Sequence, residues 1–181
     1  MGRMVLSSRV RLWLLPNAAL LTGLLVWGIV RYPHLPSRIP EHIGSEGVDA
    51  WTNRSVGSAL GFVFLYIGVT VLLTACAELT LRVTPSAELP DGAAPFGNAL
   101  VRASFNRPRT RVSALWVARA LLALNACIGI SFLIACAVMW HSVPERDIPG
   151  WLFPAMIAPI VAGTALTVAA AVYDRRAPAA H

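Results

Sequence analysis

Four stretches without a charged residue, each long enough to cross a bilayer, constrain this chain more than any other feature. They run Leu12–Val30, Ser55–Ala77, Ala120–Trp140 and Ile148–Tyr173, and hold 19, 23, 21 and 26 residues. A helix needs about 20 apolar residues to cross roughly 30 Å of hydrocarbon. Inside lipid the backbone must satisfy its own hydrogen bonds, so each block is expected to be α-helical. A helical lead-in from Val112 to Arg119 extends the third. The expected fold class is an all-α membrane protein with four transmembrane helices.

Composition agrees. Of the 181 residues, 56% are hydrophobic and 13% charged, about half the charge of an ordinary soluble domain. That excludes a disordered tail, a collagen-like fibre, a coiled coil and a disulfide-stapled secreted domain. The first block is longer than the apolar core of a secretory signal, about 7–15 residues, and Arg31-Tyr32-Pro33 is no small-residue cleavage site. It reads as an uncleaved first helix. The chain then divides into a tail (1–11), a unit of two helices and their connecting loop (12–80), an Arg-rich loop (81–111), a second helical pair (112–173) and a short tail (174–181).

Orientation follows from arginine. The net charge of +6 rests on fifteen basic residues, and all of them are arginine. Ten lie in the two tails and the 81–111 loop. Four (Arg31, Arg38, Arg54 and Arg146) lie on the other side, and Arg119 stands near a helix end. Positive residues mark the cytoplasmic side, so both termini are expected in the cytoplasm of a multi-pass protein. The bilayer and its anionic headgroups explain this charge, and no nucleic acid is expected as a partner. Trp13, Trp116 and Tyr173 near the inner helix ends, and Trp27, Trp51, Trp140 and Trp151 near the outer ones, read as interfacial anchors.

Chemistry at membrane depth normally needs ionisable groups there, and these blocks hold almost none. Glu78 and Arg119 stand just beyond the second and third blocks, where an interhelical ion pair is expected, the alternative being two side chains that snorkel separately to headgroups. Asn125, well inside the third block, is expected to hydrogen-bond to another helix. Gly57 and Gly61 form a small-xxx-small pair suited to close packing, and Pro16, Pro154 and Pro159 are positions where helices can kink. Cys76, Cys127 and Cys136 fit small packing residues, with neither metal spacing nor a disulfide framework. No zincin, Walker, nucleophile-elbow or dinucleotide motif occurs. No enzyme activity, cofactor or metal is expected.

The segment from Tyr32 to Trp51 is different in kind. Pro33, Pro36 and Pro40 oppose a helix and favour extended backbone. Gly44 and Gly47 then permit a tight reversal, and Asp49, Thr52, Asn53 or Ser55 can cap the incoming helix. An ordered extracytoplasmic loop between the first two helices is expected. His42 and Asp49 fall short of the three or four ligands a metal needs, so His42 reads as a hydrogen-bonded residue that locks the turn. Glu41, Glu46 and Asp49 either suit a cationic peptide or are simply solvated.

The order of Pro33, Leu35, Pro36, Ile39, Pro40, His42, Gly44, Gly47, Asp49 and Trp51, set between two hydrophobic blocks, resembles a bacterial membrane domain of unknown function. That domain forms the N-terminal part of SdpI-like immunity proteins, and the resemblance covers roughly residues 10–80. It implies a bacterial cytoplasmic-membrane protein that gives immunity to a membrane-active peptide and signals by tethering a cytoplasmic repressor. Fuller members continue with an Arg-Thr pair before a Trp and a downstream Asn; Arg109-Thr110, Trp116 and Asn125 stand in that order here. The expected function is immunity to, or sensing of, membrane-active peptides, with signalling through the cytoplasmic loop. The alternatives are a small transport or permease accessory subunit and a structural membrane protein.

Overall fold

The structure is a computed structural model and describes residues 8–44, 47–88, 107–141 and 150–176. Its helical part begins with a single turn, α1 (Ser8–Arg11), followed by a 3-10 turn (Leu12–Leu14) and α2 (Leu15–Arg31). Pro16 accounts for that tightening. It lacks an N–H, and its ring crowds the carbonyl one turn earlier, which makes it tolerable only in the first turn of an α-helix. Here Pro16 occupies that first turn of α2.

A 3-10 turn (Tyr32–His34) leads into two antiparallel strands, β1 (Arg38–Gly44) and β2 (Gly47–Asn53). Three helices follow: α3 (Val56–Arg82), α4 (Arg111–His141) and α5 (Leu152–Arg176). The start of α3 is fixed by a reciprocal cap: Ser58 N–H donates to Ser55 Oγ at 3.0 Å and Ser55 N–H to Ser58 Oγ at 2.9 Å. Thr110 and Ser113 repeat the device ahead of α4, at 3.0 and 3.1 Å. Each cap satisfies backbone donors that have no partner inside the helix.

Four helical segments are long and apolar enough to cross a membrane: Leu12–His34, Val56–Glu88, Arg111–His141 and Leu152–Arg176. Their apolar residues lie all round the helix rather than along one stripe, as bilayer-facing helices require. Of Pro154 and Pro159, the first sits in the opening turn of α5, where its missing donor costs nothing, and only Pro159 is inside the helix.

Helix α4 is the hub, packed against α2, α3 and α5, whereas α5 packs chiefly on α4. The difference is large: 33% of the most apolar stretch of α4 is buried, against 6% of that of α5. Three glycines set the close approaches. A methyl group at Gly28 would meet Leu60 Cδ2 at 2.6 Å, one at Gly163 would meet Leu124 Cα at 3.0 Å, and one at Gly129 would run into the Tyr66 phenol. The expected small-residue contact at Gly57 and Gly61 is not where the helices meet. Nothing lies within 4 Å of a methyl group at Gly61, because that side of α3 faces outward.

Candidate functional site

The ordered loop expected between the first two helices is a β-hairpin. Its register pairs Arg38 with Asn53, Ile39 with Thr52, Pro40 with Trp51, His42 with Ala50, Ile43 with Val48 and Gly44 with Gly47. The Gly44–Gly47 pair closes the reversal that the glycines suggested, and the two linking residues, Ser45 and Glu46, lie outside the described residues. A register shift falls between Pro40 and His42. Proline cannot donate to a ladder, so it is tolerated where the pairing is already broken by a bulge.

The hairpin is bolted to the helix ends through its apolar positions. Leu35 and Ile39, at 4% and 0% exposure, join the buried cluster of Leu24, Leu60, Val63, Tyr66, Met139 and Trp140. Pro40 is buried as well, Trp51 is half-buried, and Pro33, Pro36, Glu41 and His42 are exposed. His42 therefore stands on the outer side of the strand, and no group of His, Cys, Asp and Glu able to hold a metal ion occurs among the described residues. The backbone of Asp49 lies in β2, while its side chain is outside the described ones.

Three residues hold this cap in ways the sequence motif does not reveal. Arg54 donates through Nη1 to Leu35 O at 2.5 Å and to Pro33 O at 3.3 Å, with its guanidinium 5.7 Å from the centre of the Tyr32 ring. It ties the end of the hairpin to its beginning, and the backbone bond from Arg54 N–H to Ser37 O at 2.8 Å reinforces the closure. Arg31 donates to Trp140 O at 2.8 Å, which ends α4 on a charged donor. Trp140 was expected to be an interfacial anchor. Instead it is buried at 2% exposure, with its indole N–H on Ala59 O at 2.9 Å and Trp27 edge-on to it at 4.9 Å. Its polar atom has a backbone acceptor in the α3–α4 interface, which lets the whole ring be buried.

A second polar cluster lies midway down the bundle. Asn125 of α4 donates to Asn17 Oδ1 of α2 at 2.8 Å and to Thr70 Oγ1 of α3 at 3.1 Å. Asn17 in turn donates to Trp13 O at 2.9 Å and Leu122 O at 3.1 Å. Both asparagines are at most 1% exposed. The interhelical bond expected of Asn125 is present, and its partners Asn17 and Thr70 were not singled out by sequence. With these amide groups committed to one another, the cluster joins three helices and offers little to a ligand.

The expected ion pair between Glu78 and Arg119 does not form. Glu78 Oε1 pairs with Arg82 Nε at 2.7 Å, one turn away on the same helix, where little extra side-chain ordering is needed. Arg119 instead places its guanidinium 5.7 Å from the centre of the Trp116 ring, within cation–π range. Glu78 Oε2 and Arg119 Nε are both buried without a hydrogen-bond partner.

Of the 81–111 loop, residues 89–106, including Arg102, lie outside the described residues. The rest is a clasp. Ser86 and Ala87 N–H donate to Pro108 O and Arg109 O, both at 3.1 Å, and Arg111 bridges Glu88 at 2.7 Å. Asp174 of α5, 5% exposed, accepts from Arg109 N–H at 2.7 Å, beside the Thr110 cap of α4. A carboxylate suits that place because the first turn of a helix presents unsatisfied N–H groups and a positive dipole end. Thus Arg109, Thr110 and Asn125 each have a bundle-holding contact, while Trp116 stacks with Arg119. No protein-family model, curated protein or solved structure matches the chain.

Proposed function

We propose that this chain is a multi-pass protein of the bacterial cytoplasmic membrane, of SdpI-like type, with both termini in the cytoplasm. Its outward hairpin cap senses or blocks a membrane-active peptide. The observation that carries this reading is the construction of the cap. Leu35, Ile39 and Pro40 are sunk into the bundle while Glu41 and His42 are held outward on a paired, bulged strand. A connector between two helices needs no such anchoring, and a fixed polar edge above an apolar bundle suits a partner that arrives along the membrane surface. A cytoplasmic repressor docked on the loop between α3 and α4 would be the signalling partner.

Transport is the weaker reading, because the amide of Asn125, its main support, is engaged by Asn17 and Thr70. The test is a survival assay in bacteria that carry the wild-type chain, His42→Ala, Trp51→Ala or no copy, challenged with a panel of cationic membrane-active peptides. The proposal predicts resistance with the wild type and its loss in both variants at unchanged membrane insertion. Equal sensitivity of all four strains across the panel would overturn it.

A further inference from the structure

At the end of the bundle that gathers Trp13 of the first span and Tyr173 near the end of α5, a cleft of about 480 Å³ opens between the first span, α4 and α5. Its volume lies within the range of small-ligand sites, roughly 300–1,000 Å³. The cleft is polarised along its length. Gly163 packs against Leu124 and Cys127 and so sets the antiparallel register of α4 and α5. That register puts Tyr173 and Ala170 level with Trp116 and Arg119, and Leu166 level with Ala123 further in. Its rim is therefore aromatic and cationic: Trp13, Trp116, Tyr173 and Arg119. Further in, Ala120, Ala123, Ala169 and Leu166 leave an apolar channel, because the alanines carry no side chain long enough to fill it.

The charge at the rim has an aromatic ring beside it and, among the described residues, no anion. Among the described residues Arg119 makes no ion pair, its Nε is buried without a hydrogen-bond partner, and its one charge-sensitive contact is the Trp116 ring. The Nε is out of solvent reach, so a ligand in the cleft meets the terminal nitrogens, and a planar guanidinium fits phosphate geometry. Trp and Tyr mark the headgroup level of a bilayer. We infer that this cleft binds one molecule of an anionic phospholipid, its headgroup phosphate on Arg119 and an acyl chain laid along the alanines of α4 and α5. A phosphate at the rim and hydrocarbon below it match the polarity of the cleft from end to end. The inference requires that α4 and α5 span the membrane and is independent of peptide sensing by the hairpin.

The test is lipid binding to the purified full chain in detergent micelles, counted by native mass spectrometry in titrations with phosphatidylglycerol and with phosphatidylcholine. One phosphatidylglycerol should bind about tenfold more tightly than phosphatidylcholine, whose phosphate brings with it a quaternary ammonium repelled by the Arg119 charge. Arg119→Gln should abolish the difference, Arg119→Lys should keep most of it, and Arg82→Gln should leave it unchanged. Ala169→Phe, which fills the channel with the charge in place, should weaken phosphatidylglycerol binding at least several-fold. Retention of binding in Arg119→Lys shows that loss in Arg119→Gln is not misfolding. Equal affinity for the two lipids, or a preference that survives Arg119→Gln, would overturn the inference. So would displacement by millimolar glycerol phosphate, which would reduce the site to an anion pocket.

Discussion

At the scale of single residues, the pair Asn17–Asn125 decides how three helices meet. Asn17 donates both amide hydrogens to backbone carbonyls and accepts from Asn125. Asn125→Leu leaves Asn17 Oδ1 buried without its donor, so a loss of about 1–3 kcal/mol is expected from reversible unfolding in mixed micelles. A double-mutant cycle of Asn17→Ala and Asn125→Ala should give a coupling of about 0.6–1.7 kcal/mol. Asn125 was legible as a lone amide in an apolar block. Asn17 and Thr70 were not, because a sequence does not state which faces of which helices touch. The same gap explains Glu78 and Arg119. Their positions predicted proximity, but a partner one turn away on the same helix and an aromatic ring three residues back took their charges first.

Glycine gives the sharpest contrast at this scale. Gly129→Ala would drive a methyl group into the Tyr66 ring, whereas Gly61→Ala meets nothing within 4 Å. The first should cost about 1–3 kcal/mol, as overpacking does. The second should change stability by under about 1 kcal/mol, in the stabilising direction, through helix propensity alone. A compensating Tyr66→Leu should recover most of the loss at Gly129, measured by the same unfolding assay.

Among the elements, the hairpin was half legible. Pro36 and Pro40 opposed a helix and glycines located the reversal, but the 3-10 turn at Pro33, strand pairing, the bulge after Pro40 and burial of Leu35 and Ile39 were not legible, the last because it depends on helix ends distant in sequence. Arg54 was equally hidden, since it entered the reading only as one of four outer arginines. Its bonds to Pro33 O and Leu35 O close the hairpin base. In Arg54→Ala, hydrogen exchange across residues 38–53 should speed up by about tenfold or more while that of α3 and α4 stays unchanged. Equal acceleration in α4 would show that Arg54 supports the whole bundle rather than the cap.

For the whole molecule, four helices long and apolar enough to span were legible because uninterrupted apolar length is a physical requirement for crossing lipid. Their arrangement was not. Lipid-facing and helix-facing surfaces are equally apolar, so hydropathy cannot distinguish α4 at the hub from α5 at the edge. Peptide sensing by the hairpin requires the hairpin to face out of the cell and the clasp between α3 and α4 to face in. Impermeant maleimide labelling of intact cells measures this directly, using single cysteines at Glu41→Cys and Ser86→Cys in a chain whose Cys76, Cys127 and Cys136 are replaced by Ala. Both positions are exposed. That orientation predicts labelling of Glu41→Cys in intact cells and of Ser86→Cys only after permeabilisation. Labelling of Ser86→Cys in intact cells, or of Glu41→Cys only after permeabilisation, would contradict it.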